Sequence, residues 1–125
     1  MIERDLSDPD GIITIRSSGD WTPSELDAHF KILREIIAKR RRNGEPIRVL
    51  SDLSSAQDHK MGINDDILAE CHRSYLPGDR VAILTPGQSA KQWLRERLRG
   101  SEVAAFCSRL PAEMWLMADD LPPPQ

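Results

Sequence analysis

Residues 80–107, RVAILTPGQSAKQWLRERLRGSEVAAFC, contain the most continuous strand pattern of the chain and decide its fold. Arg80 to Thr85 predicts a buried strand, since it is a short apolar run that follows a turn. Thr85-Pro86-Gly87-Gln88 resembles a capping box, with Gln88 in the place of the usual glutamate, so a helix is expected to begin there. The residues of its buried face recur at helical intervals, at Ala90, Trp93, Leu94 and Leu98. Gly100 ends this helix, and Val103 to Cys107 predicts the next strand. Strand, helix and strand in this order indicate a parallel pair joined by a right-handed crossover.

The residues that precede this unit repeat the alternation. Thr22-Pro23-Ser24-Glu25 is a capping box with proline at the first helical position. One apolar stripe follows, and Asn43-Gly44 ends the helix. Ile47 to Leu53 predicts a central strand, and Ile63 to Cys71 carries a second helical face. The stripe of the first helix consists of Leu26, Phe30, Leu33 and Ile37.

The two ends of the chain complete the pattern. Ile2 to Leu6 and Gly11 to Ser17 predict a hairpin around the turn signal Asp8-Pro9-Asp10-Gly11. Pro111 to Met117 predicts a short closing helix. The expected fold is therefore α/β, a mixed, mostly parallel sheet of about five strands with helices packed on it, in the order β-β-α-β-α-β-α-β-α. Residues 1–118 are expected to form a single domain and residues 119–125 a proline-rich flexible tail.

The composition argues against several classes of protein. The chain has 125 residues and a formal net charge of −3, which argues against general nucleic-acid binding because that needs a dominant basic surface. No apolar run is long enough for a membrane span, and the acidic start does not resemble a signal peptide. The two cysteines, Cys71 and Cys107, do not form a CxxC pair and are interpreted as buried, reduced thiols. A cytoplasmic protein is expected.

The order of the elements, with several particular segments, resembles the STAS and SpoIIAA-like group, a regulatory and ligand-binding fold related to anti-sigma-factor antagonists. The resemblance spans about Gly11 to Leu116. It is carried by Gly19-Asp20-Trp21-Thr22 before the first helix, Val49-Leu50-Ser51-Asp52-Leu53-Ser54 at the third strand, Asp79-Arg80-Val81-Ala82-Ile83 at the fourth, and Phe106 followed by Ala112-Glu113-Met114-Trp115-Leu116.

In the antagonist branch of that group, the loop after the third strand carries a phosphorylatable serine at a helix start. Here the position of that serine falls on Asp58, so the resemblance implies a module without the phosphoswitch. Asp58 is either a permanent mimic of a phosphoserine or, more commonly for such a residue, a carboxylate that stabilises a helix start. The predicted interaction loop consists of Asp52, Ser54, Ser55, Asp58 and His59.

Two further groups are candidates for binding. Backbone amides at the start of the third helix are a candidate anion site, at Thr85, Gly87, Gln88 and Ser89. Trp21 lies in a loop, where it either packs on Leu26 or Phe30 as a hydrophobic staple or serves as an exposed anchor for a partner. Trp93 and Trp115 are expected in the core or in a dimer contact.

The sequence contains no convincing catalytic or metal-binding pattern. His29, His59 and His72 lack the spacing of zinc ligands, and Cys71 and His72 point about 100° apart on a helix. No enzyme activity, cofactor or metal is expected. The first hypothesis is a non-enzymatic regulatory or interaction module that binds another protein or a second copy of itself. The alternative is a carrier of a small apolar ligand such as a lipid, with Met61, Ile63, Met114 and Met117 as either pocket or core residues.

Overall fold

The computed structural model describes residues 1–18, 21–55, 65–98 and 102–118, in which strands and helices follow the expected order. The strands are β1 (Ile2–Asp5), β2 (Ile13–Ser17), β3 (Arg48–Asp52), β4 (Arg80–Leu84) and β5 (Val103–Phe106). The helices are α1 (Pro23–Arg42), α2 (Asp65–Ser74), α3 (Gln88–Arg97) and α4 (Arg109–Met117). The predicted helix end at Gly100 and the predicted tail at 119–125 lie outside the described residues.

The five strands form one sheet in the order β1-β2-β3-β4-β5. β1 is antiparallel to β2, and each later neighbour is parallel, which confirms the mixed, mostly parallel sheet. The turn between the first two strands is built by Asp8, whose carboxylate accepts hydrogen bonds from the amides of Asp10 and Ile12. Gly11 completes it at φ +82°, a conformation that favours glycine.

Alternate residues of the strands enter two separate apolar layers. Val81 and Ile83 of β4 pack on the face covered by α1, α2 and α3, whereas Ala82 and Leu84 pack on the face covered by α4. This alternation is the ordinary period of a strand, and both layers are apolar because the sheet is covered on both sides. The helical residues of the first layer include Leu33, Ile37, Leu68, Cys71 and Leu94; those of the second are Ala112, Trp115 and Leu116.

Helix α1 begins and ends as the sequence predicts. Thr22 is its N-cap, and the threonine Oγ1 accepts a hydrogen bond of 3.1 Å from the amide of Glu25. Asn43 is its C-cap and Gly44 follows at φ +73°. Near this end the guanidinium of Arg41 donates to both carboxylate oxygens of the buried Asp79, at 2.9 and 2.5 Å, which ties the helix to the turn before β4.

The predicted capping box at the start of α3 is wrong. The helix begins at Gln88 with Gly87 as N-cap and without a side-chain cap. Thr85 Oγ1 instead lies 3.0 Å from the carbonyl oxygen of Gly87 and 3.3 Å from that of Phe106. The threonine hydroxyl therefore faces the carbonyl oxygens of the N-cap residue and of the end of β5, and it does not accept a hydrogen bond from an amide of the helix.

Helix α4 begins earlier than expected, at Arg109 instead of Pro111. Pro111 is therefore the third helical residue. A proline is tolerated there because the first amides of a helix have no carbonyl partner within the helix.

Candidate functional site

The turn after β3 is the described part of the predicted interaction loop. The carboxylate of Asp52, the last residue of β3, accepts hydrogen bonds from the amide of Ser54 at 2.9 Å and from its hydroxyl at 2.5 Å. The amide of Leu53 donates to the carbonyl oxygen of Leu84, so the strand pairing extends one residue beyond β3. Ser54 and Ser55 are exposed. Asp58 and His59, the other two residues of the predicted loop, lie outside the described residues.

Three neighbouring parallel strands end at the same edge of the sheet, which we call the carboxyl edge. Asp52 ends β3, Thr85 follows β4 and Cys107 follows β5. Cys107 is half-buried, and its Sγ lies 3.6 Å from Thr85 Oγ1. In parallel sheets ligands and partners commonly bind at such an edge, because the loops that follow the strands meet there.

Arg109 joins the turn after β3 to the start of α4. Its Nη1 lies 3.9 Å from Asp52 Oδ2, and its Nε donates to Glu113 Oε1 at 2.8 Å. Arg109 was not predicted as a site residue, because its only local signal is the charge pair with Glu113 one turn later. Since parallel strands end at one edge, the sequence does indicate that Cys107 and the start of α4 lie at the same edge of the sheet as Asp52.

The start of α3 also lies at the carboxyl edge. Neither α3 nor α4 has an acidic residue in its first turn or a side-chain cap, so the backbone amides of both helix starts lack a carboxylate partner of that kind. The predicted anion site at Thr85, Gly87, Gln88 and Ser89 contains a buried threonine and exposed Gln88 and Ser89. Anion binding at this helix start stays a prediction.

Trp21 belongs to the core. Its side chain is 3% exposed and lies in the same apolar layer as Phe30, with Leu26 packed against that layer. The interpretation as an exposed anchor for a partner is therefore wrong, because a buried indole has no surface to offer. The residue precedes the N-cap of α1 and packs beside the first turns of the helix, as a hydrophobic staple does.

A small apolar cavity lies between α1, α2 and the sheet. Its volume is about 40 Å³, and its lining includes Trp21, His29, Phe30, Cys71 and Tyr75. That volume accommodates about three water molecules, whereas pockets for drug-sized ligands begin at about 300 Å³. As it stands, this cavity is too small for a lipid.

The two described methionines of the carrier hypothesis, Met114 and Met117, lie neither in a pocket nor in the core. Met114 is 61% exposed and Met117 is 41% exposed, so both interpretations are wrong for them. They share the outer face of α4 with Leu110, which is 67% exposed. Met61 and Ile63 lie outside the described residues. Trp115 is a core residue, and Trp93 is half-buried with the guanidinium of Arg97 4.2 Å from its ring centre.

Burial holds His29, Cys71 and Tyr75 in their neutral forms at pH 7. Burial raises the pKa of Cys71 to about 12, with a smaller contribution from the charge of Glu70, so this thiol is not a nucleophile at neutral pH. His72, its neighbour, is exposed, as expected. Among the described residues there is no cluster of three or more histidine, cysteine or acidic side chains that could hold a metal ion. No helix in the described ranges is long and apolar enough to cross a membrane.

Comparison with known proteins finds similarity among solved structures. No protein-family model matches the chain, and no curated protein matches it. Among solved structures, it is similar to an uncharacterized protein of the DUF3478 family from Shewanella loihica PV-4, which has a SpoIIAA-like fold. The two chains are 19% identical with a TM-score of 0.63, and the match covers 93% of this chain and 92% of that one. The chain therefore has a SpoIIAA-like fold, as the order and spacing of its segments implied.

Proposed function

We propose that this chain is a non-enzymatic regulatory module that binds another protein through the carboxyl edge of its sheet. The binding surface consists of the turn after β3, with the exposed Ser54 and Ser55, and of the chain that leads from this turn toward α2. The solved relative is uncharacterized, so it supports the fold on which this proposal depends and not the activity.

The observation that carries the proposal is the way Asp52 fixes this turn. One carboxylate oxygen accepts two hydrogen bonds from Ser54, and the other lies 3.9 Å from the guanidinium of Arg109. The turn is thus held both to the end of β3 and to the start of α4. A turn held at both sides loses little conformational entropy when a partner binds, which favours recognition.

Several side chains around this turn already have structural partners. Asp52 closes the turn, and the hydroxyl of Thr85 faces the carbonyl oxygens of Gly87 and Phe106. A general base or nucleophile needs a lone pair or a thiolate directed at a substrate, and these two groups are directed at the protein itself. This supports a binding role over a catalytic one.

The proposal is tested by a quantitative affinity capture with the turn as the variable. Ser54→Arg/Ser55→Arg places two long cations on the turn, and Ser24→Arg, on the exposed first turn of α1, is the matched control. We expect the double variant to lose a partner that the wild type and the control both retain. Asp58→Arg extends the same test to the rest of the loop. If all variants keep the same partners in equal amounts, the turn is not the binding surface.

A further inference from the structure

Helix α4 has two apolar faces, of which the sheet covers only one. Ala112, Trp115 and Leu116 are buried against the sheet. Leu110, Met114 and Met117 are 67%, 61% and 41% exposed, at spacings of four and three residues. Such spacing aligns them as one stripe on the opposite side of the helix. A single exposed apolar residue is ordinary, but a continuous stripe on one face marks an interaction surface.

The stripe is presented by a helix that is firmly attached to the sheet. Arg48 Nε donates to the carbonyl oxygen of Leu116 at 3.0 Å, and Arg80 Nη1 donates to that of Trp115 at 2.6 Å. The guanidinium of Arg80 also lies 5.0 Å from the centre of the Trp115 ring. The two arginines bind carbonyl groups of the last turn, of which that of Trp115 also accepts a hydrogen bond from the amide of the C-cap residue Ala118. The outer face is therefore pre-organised.

The two charged residues beside the stripe can pair with the same two residues of a second copy. Arg109 and Glu113 lie one turn apart on the same flank of α4, next to Leu110 and Met114. When two such helices pair antiparallel around a two-fold axis, the order of charge reverses. With the two-fold axis level with Pro111, Arg109 of one copy then lies opposite Glu113 of the other, and Leu110 lies within about 3 Å of Met114 along the helix axis. A two-fold interface repeats each contact, so the charge pair and the Leu110–Met114 contact each form twice.

We propose that the outer face of α4 binds a second copy of this chain, with the two α4 helices antiparallel and in that register. The helix has nine residues and is about 13 Å long, so the shared surface is small compared with a standard interface of about 1,600 Å². The dimer is accordingly weak and depends on concentration. The proposal does not rest on binding at the turn after β3. Arg109 approaches Asp52 of that turn, but Met114→Lys tests the pairing of α4 without changing this contact.

Sedimentation velocity of the purified chain tests the apolar part of the proposal. Between about 10 µM and about 1 mM, we expect the wild type to shift from monomer to dimer, a range that suits a weak interface. Met114→Lys should stay monomeric throughout. The matched control is Ile32→Lys, which changes an exposed apolar residue of α1 (39% exposed) and should dimerise as the wild type does. A monomeric wild type at every concentration, or an unaffected Met114→Lys, would overturn the proposal.

Variants that reverse the charge of Arg109 or of Glu113 test the register, and this test is independent of Met114→Lys. Arg109→Glu carries two glutamates on the flank, and Glu113→Arg carries two arginines. Each variant alone should dimerise at least about fivefold more weakly than the wild type, because like charges meet across the axis. An equal mixture should form a heterodimer at least as tight as the wild-type dimer, since every charge then meets its opposite. Mixing does not relieve repulsion within one helix, so a mixture as weak as the separate variants would overturn the antiparallel register.

Discussion

At the scale of single residues, His29 shows how the interior controls protonation. The imidazole is 5% exposed, and the guanidinium of Arg4 donates to its Nδ1 at 3.0 Å. Burial, together with a smaller effect of the positive charge of Arg4, lowers the pKa of His29 to about 4. The ring is therefore neutral at pH 7, with its proton on Nε2, because Nδ1 accepts the hydrogen bond from Arg4.

This shift predicts a pH-dependent stability. Below about pH 6.5 the unfolded chain binds a proton at His29, whereas the folded chain does not until about pH 4. The free energy of unfolding consequently falls as pH drops through this window, and His29 accounts for about 2 kcal/mol of loss between pH 7 and pH 5. Urea denaturation at the two pH values measures it. His29→Gln should remove that part of the loss, and His72→Gln, an exposed control, should not. Equal losses in the wild type and His29→Gln would contradict the expectation.

At the scale of elements, the helix starts differ in how their amides are satisfied. Thr22 caps α1 through its hydroxyl, whereas Gly87 and Ser108 occupy the N-cap positions of α3 and α4 without a side-chain hydrogen bond. A threonine followed by proline occurs before both α1 and α3, but only Thr22 caps its helix. The second, Thr85, is 2% exposed, and its hydroxyl faces the carbonyl oxygens of Gly87 and Phe106 instead of a helix amide.

The difference between N-caps predicts unequal responses to the same substitution. Thr22→Ala should lower the free energy of unfolding by about 1 kcal/mol, because the amide of Glu25 loses its acceptor. Ser108→Ala should change it by less than about 0.3 kcal/mol, since no cap hydrogen bond is lost there. Chemical denaturation monitored by circular dichroism measures the free energy of unfolding of both variants. Similar losses for both variants would show that the caps do not differ in solution as they do in the structure.

For the molecule as a whole, the sheet separates two apolar layers, and more helices cover one of them than the other. Three helices cover one face, and α4 alone packs on the other in the described part of the chain. The thicker layer encloses His29, Cys71 and Tyr75, and burial raises the pKa of Tyr75 well above its usual value. Reagents should reach this layer only when the fold opens, whereas Cys107 at the carboxyl edge is half-buried.

Thiol labelling measures that opening. In Cys107→Ser, the remaining Cys71 is 5% exposed and should react at least about a thousandfold more slowly in native buffer than in urea, because labelling must await an opening of the fold. In the complementary variant Cys71→Ala, Cys107 should react faster than Cys71 does. Rapid labelling of Cys71 under native conditions would mean that the layer beneath α1 opens locally.

Local patterns predicted much of the fold. The strands β3, β4 and β5 and both ends of α1 follow from short apolar runs, a threonine cap and Asn43-Gly44, because these signals depend on neighbours in the sequence. The candidate site was predicted less well. The turn at Asp52 and Ser54 was found from its resemblance to a known loop. Arg109 was missed, because its approach to Asp52 exists only once β3 and α4 are packed together.

The order of elements, the mixed sheet and the SpoIIAA-like fold were predictable from the amino-acid sequence. Which side of each apolar segment faces inward became known only from the packing of the elements. Trp21 is buried although it lies in a loop, and Met114 is exposed although its helix is apolar on both sides. The physical reason is that periodicity shows which residues share a face of an element. Which face is covered depends on contacts with distant elements, here β3, β4 and β5 against α4.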